Sequence, residues 1–185
     1  MSTTESGTAA EENEEAVRAW DGPLFDRFVR FREIVTTGLG AHGEAALDLV
    51  PPAAGDRVLD IGCGFGDTTQ RIAGLVGADG EVVGIDAARQ FVEVARREAE
   101  EAGVRNVSFD VADVQVADLG GPYDLAFSRF GTMFCANPVV ALRNVRRKLV
   151  VIASGMTRFY GTSSPREARL RLFAVVARIG LQSAS

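Results

Sequence analysis

One histidine, His42, and two cysteines, Cys63 and Cys135, are all the soft metal ligands in 185 residues. That is too few for a zinc cluster. The two cysteines stand far apart in sequence, and free thiols in a reducing cytoplasm are expected rather than a disulfide. No apolar run reaches the roughly 18 residues a membrane span needs. The opening stretch, MSTTESGTAAEENEE, has neither a basic start nor an apolar segment, which excludes a secretory signal and places the expected location in the cytoplasm. Positive charge is also in short supply: the net charge is -5 and the sequence pI about 5.0, so no basic field argues for nucleic acid. What the chain does have is 46% hydrophobic residues, enough for one globular domain with a sizeable core.

Residues 1–15 carry five glutamates and almost no bulky apolar side chain, and read as a solvated, disordered acidic tail. A helical cap is expected over 16–50. Leu24, Phe28, Phe31 and Val35 share one helix face, Pro23 suits its first turn, GLGAHG breaks it, and EAALDLV forms a second short helix ending at Pro51 and Pro52. From residue 51 to 185 the rhythm changes. DRVLDIG, EVVGID, VSFDVAD, YDLAFSRF and VVIAS read as strands. DTTQRIAGLVG, with Asp67 as N-cap, alternates with them, as do ARQFVEVARREAEEAG, NPVVALRNVRRKL and SPREARLRLFAVVARIG. Such alternation defines an α/β fold, a mostly parallel Rossmann-like sheet with helices on both faces.

A sheet of this kind binds ligands beyond the carboxyl ends of its strands. The first strand leads into Gly62-Cys63-Gly64-Phe65-Gly66, where glycines let a ligand approach the main chain. A glycine loop alone is a weak signal and suits any tight strand-to-helix turn. Asp86 ends the second strand, where a carboxylate can accept the two hydroxyls of a ribose. The dinucleotide pattern, however, needs a small residue where Asp67 stands, and a carboxylate there competes with phosphate for the helix N-terminus. Asp60, at the end of the first strand, suits a cationic ligand. A ribose, no phosphate and a positive charge together describe S-adenosylmethionine (SAM).

VLDIGCGFG, VVGIDAA, FDVADVQ and YDLAFSRFGTMF, in this order and spacing, resemble the successive motifs of class I SAM-dependent methyltransferases, and NEEAVRAWDGPLFDRFV with FSRFGTMFCANPVVALRNVRRKL resembles the branch similar to ubiquinone/menaquinone and other small-molecule methyltransferases. The resemblance implies SAM as cofactor and methyl transfer to a small molecule. It implies that Asp60, Gly62, Cys63 and Gly64 hold the methionine part, that Asp86 takes the ribose and that Ala87 lies on the adenine. Asp113 would then face the adenine amino group and the Val114 amide a ring nitrogen, with Ser128, Arg129 and Phe130 near cofactor and substrate. For Asp113 a plain strand-end acid, and for Phe130 core packing, are the alternatives.

No general base stands out. His42 is either a surface residue or a substrate-facing base, and Arg129 binds a substrate carboxylate or pairs with a local acid. Trp20, Phe25 and Phe28 line a substrate lid or pack a helix core. Beyond Leu149 the family pattern fails. The usual turn into the fifth strand is missing and no closing antiparallel strand pair is found; from Arg143 onward nine basic residues meet one acid, Glu167. A sheet without that pair exposes an edge and invites a homodimer. Two rival readings follow: a catalytically weak SAM-binding or partner-binding module, and an NAD-dependent oxidoreductase.

Overall fold

The computed structural model describes residues 13–149. Four strands form its sheet: β1 (Arg57–Ile61), β2 (Glu81–Asp86), β3 (Val107–Val111) and β4 (Leu125–Phe127). Their spatial order is β3-β2-β1-β4, and every pairing is parallel. Leu149 adds a parallel bridge to Tyr123, just ahead of β4.

Strand β1 shows why the sequence reads as an unbroken apolar run. Val58 points into one cluster, with Ile72, Ala73 and Val76 of α4 (Asp67–Val76) and Ala46 and Leu47 of α3 (Arg32–Leu49). Leu59 and Ile61 point the other way, toward Ala141 and Val145 of α6 (Pro138–Arg146). Alternate residues face opposite sides, both sides are covered, and so both must be apolar. Another helix, α5 (Arg89–Glu101), buries Val92, Ala95 and Ala99 against Phe109 of β3.

Chain order creates the site. The strands run outward from β1 through β2 to β3, then return to the other side of β1 as β4. The connections leaving β1 and β4 therefore diverge, and a crevice opens at that switch point. Caps follow local chemistry: the Asn137 side chain accepts from the Val140 N–H at 3.1 Å, and Pro138 occupies the first helical position.

Several expectations are corrected. A helix, α1, covers 13–20, so residues 13–15 are helical, and Asn13 is buried because it is tied to the sheet domain. The helix expected through Phe31 is two, α2 (Pro23–Arg30) and α3, with Phe31 as a non-helical joint. GLGAHG does not break α3, which runs through it to Leu49. Glycine costs only about 1 kcal/mol within a helix. Here the missing side chains admit a neighbour: a Cβ on Gly43 would lie 3.0 Å from the Arg129 Cδ. Asp67 is the first residue of α4 and not its cap; Gly66 takes the cap in a left-handed conformation. The expected VVIAS strand, the helix over 164–179 and the question of a closing strand pair lie outside the described residues.

Candidate functional site

The crevice at the switch point is a cleft of about 310 Å³. Its floor is the β1 exit loop. Gly62, Gly64 and Gly66 all have positive φ, at 69°, 54° and 79°. Gly62 and Cys63 donate their N–H groups to the Ile85 carbonyl at 2.8 and 3.0 Å, which locks the loop to the end of β2. Packing also demands glycine: a Cβ on Gly62 would stand 2.6 Å from the Gly131 Cα. The β1 and β4 exits thus touch backbone to backbone.

Asp86 closes one side. Its Oδ2 accepts from the Gly64 N–H at 3.0 Å and its Oδ1 from the Ala88 N–H at 2.9 Å. Burial pushes its pKa up, and these N–H groups push it back. Each oxygen keeps lone pairs for a further donor. Asp113 lines the cleft beyond the end of the neighbouring strand β3. Its Oδ1 accepts from the Gln115 N–H at 2.9 Å and its Oδ2 from the Asn13 side-chain amide at 3.0 Å. Ala87, Val114, Cys63 and Arg129 line the same space, as does Phe130.

The remaining candidates lie elsewhere. Asp60 is 1% exposed, beneath the floor, and accepts from the Thr69 hydroxyl at 2.6 Å. Desolvation raises its pKa to about 6; the Thr69 hydrogen bond and the Arg129 charge oppose that shift. Ser128 is likewise buried, donating to the Ile61 carbonyl at 2.9 Å while its oxygen accepts from the Thr132 N–H. Both residues hold the loops rather than line the cleft. Trp20 and Phe28 line it, whereas Phe25 supports them through Phe91, with ring centroids 5.0 Å apart. His42 is exposed on α3, outside the lining, with its ring 5.8 Å from that of Phe130.

Several lining residues escaped the sequence reading. Asn13 sits in a stretch whose composition resembles a tail. Arg32 carries no motif, yet its guanidinium bonds Glu98 at 2.5 and 2.7 Å and Asp67 at 2.8 Å, and lies 4.3 Å over the Phe65 ring. It clamps the start of α3 to α4 and α5. Phe134 packs on Trp20 at 4.7 Å and completes an aromatic wall. Cys63 and Cys135 are free thiols, and burial raises the Cys135 pKa to about 11. Among the described residues, no histidine lines the cleft, and no group of three or more candidate ligands could hold a metal ion. No helix among them is long and apolar enough to cross a membrane.

A parallel sheet with a glycine-lined crevice and an acid ending β2 is an architecture that class I SAM-dependent methyltransferases share with dinucleotide-binding proteins. The methyltransferase-domain family model matches residues 52–152, more than half of the chain, and the chain belongs to that family. It is 40% identical over 101 residues to the aklanonic acid methyltransferase DauC of a Streptomyces species, an alignment covering 54% of this chain and 46% of that protein. It is 31% identical over 134 residues to the ubiquinone/menaquinone biosynthesis C-methyltransferase UbiE of Coxiella burnetii, covering 68% of this chain and 53% of UbiE. The chain therefore spans about half the length of these two relatives. The crystal structure of a SAM-dependent methyltransferase from Aquifex aeolicus shares the fold, with a TM-score of 0.56 and 22% identity over 75% of this chain and 78% of that one.

Proposed function

We propose that this protein transfers the methyl group of SAM to a small organic acceptor. The observation that carries the reading is the pairing of Asp86 with the glycine loop. Its carboxylate is held by two backbone N–H groups and still faces the cleft. The fit to SAM rests on donor chemistry. Asp86 and Asp113 offer acceptors for the ribose hydroxyls and the adenine amino group, and the Val114 amide stands beside Asp113. Gly62 and Gly64 leave room for the methionine part against bare main chain. No phosphate site competes, because Asp67 occupies the first turn of α4 and pairs with Arg32. The names of DauC and UbiE, both methyltransferases of small organic molecules, support the acceptor class.

When bound, SAM supplies a methyl group already activated by its sulfonium. What remains for the chain is to bind, orient and exclude water. Orientation alone contributes roughly 7–11 kcal/mol to such reactions. Trp20, Phe28 and Phe134 form an apolar wall that sheds water and presents flat surface to an acceptor. Among the described residues the lining holds no histidine, and burial raises the Cys135 thiol to about 11. Suitable acceptors therefore release their proton to solvent or are nucleophilic as bound.

Titration calorimetry with S-adenosylhomocysteine (SAH) tests this reading. Micromolar binding is expected, weakened about 10–100-fold in Asp86→Asn, since a hydrogen bond to a charged group contributes about 1.5–3 kcal/mol. A folded protein that binds no SAH would refute the proposal.

A further inference from the structure

We infer that Arg129 is a carboxylate anchor, holding a carboxylate that enters the cleft with a ligand. The inference rests on the reading of the cleft as a SAM site. Arg129 is partly buried and lines the cleft. Among the described residues it makes no hydrogen bond and no ion pair. The contrast with Arg32, the other guanidinium of the lining, is sharp: Arg32 is ion-paired with both Glu98 and Asp67.

The fold goes to some length to place Arg129 there. Phe130, the next residue, has φ 66°, a left-handed conformation unfavourable for a non-glycine residue. Gly131 then presses against the β1 exit, where a Cβ would stand 2.6 Å from the Ile61 carbonyl oxygen. On the other side, Gly43 and Gly40 of α3 leave room for the Arg129 side chain, at 3.0 and 4.0 Å from their built Cβ positions. A strained turn on one side and a glycine groove on the other hold this side chain at the cleft.

The nearby acids do not neutralise it. Asp86 is held by Gly64 and Ala88, and Asp113 by Gln115 and Asn13. Asp60 feels the Arg129 charge through space, but its hydrogen bond is with Thr69. A guanidinium with five donors and no acceptor, partly withdrawn from water, suits a bidentate carboxylate. Two ligands can present one: the amino-acid end of the cofactor, or an acidic acceptor seated against the aromatic wall.

The test compares the wild-type chain with Arg129→Gln and Arg129→Lys, each checked for an unchanged melting profile. SAH and 5′-methylthioadenosine, which lacks the amino-acid end, are titrated into each. 2-Naphthoate and 2-naphthamide are then titrated into the SAH complexes. If the cofactor supplies the carboxylate, Arg129→Gln weakens SAH tenfold or more, leaves methylthioadenosine unchanged, and Arg129→Lys recovers part of the loss. If the acceptor supplies it, SAH binding is unchanged, and naphthoate binding to the wild-type complex is lost in Arg129→Gln while naphthamide is unaffected. Arg129→Gln binding all four compounds like the wild type overturns the inference. Failure of methylthioadenosine to bind the wild type would instead refute the SAM reading beneath it.

Discussion

At the scale of single residues, two positions carry consequences that their types alone do not suggest. Asp60 is a carboxyl sealed under the floor, with its pKa raised to about 6, mainly by desolvation. Its folded pKa exceeds that of an unfolded aspartate, near 4, so the native state holds a proton that the unfolded chain releases. The associated stability is fully present below about pH 4 and is lost as pH rises through 6, by up to about 3 kcal/mol. Asp60→Asn removes this dependence. The stability of the wild type relative to Asp60→Asn, from urea melts, is therefore expected to fall between pH 4 and 7; a constant difference would show that Asp60 stays ionised. Gly131 is the second position. A methyl group there meets the Ile61 carbonyl at 2.6 Å and the Gly62 Cα at 2.8 Å, and backbone cannot swing aside. Gly131→Ala should destabilise by about 1–3 kcal/mol and weaken SAH, because it forces the two exit loops apart. Thermal melts and calorimetry would show both effects.

At the scale of elements, the helical cap matters most. Four polar ties fasten it to the sheet domain: Asn13 to Asp113, Asp21 to Gln90, Arg32 to Glu98 and Asp67, and Glu44 to Arg71. Between them the Trp20 ring packs edge-on against Phe28 at 5.1 Å and Phe134 at 4.7 Å. Trp20 is the only tryptophan of the chain, so its fluorescence reports on the cleft alone. SAH is expected to change that emission saturably. Trp20→Ala should weaken ligand binding by about 1–2 kcal/mol, roughly tenfold, while the far-UV spectrum is retained. Unaltered affinity would return Trp20 to a packing role. The strands and sheet-domain helices were legible because each carries a period or a punctuation mark: VLDI between turn residues, Gly77 after α4, Asn137 and Pro138 before α6. The cap was less so. Its glycines look like breakers in sequence, yet at Gly43 and Gly40 they serve contact with Arg129, and no local pattern encodes a contact 86 residues away.

At the scale of the whole molecule, ligand binding and folding are linked, since the cleft exists only when both exit loops and the cap are in place. SAH at a hundred times its dissociation constant should stabilise the fold by about 2.7 kcal/mol. For a domain of this size that is a rise in melting temperature of roughly 5–10 °C. NAD should give none, because the helix N-terminus that would receive its pyrophosphate carries Asp67, paired with Arg32. Protection by NAD but not by SAH would revive the oxidoreductase alternative.

The sequence by itself determined the parallel α/β class, the loop of three left-handed glycines, and the acids that follow β2 and β3. These are local properties: apolar runs between turns, backbone angles open to glycine, and a residue's place at a strand end. Only the tertiary structure decided which candidates line the cleft. It set Asp60 and Ser128 beneath the floor, left His42 outside, and brought in Arg32, which belongs to no motif, with Asn13 and Phe134, to which no motif gave a role. Among the described residues it also gave Arg129 no hydrogen bond or ion pair, while pairing Arg32 with Glu98 and Asp67. Burial and charge pairing depend on distances between residues remote in sequence, and those are set when the cap closes on the sheet.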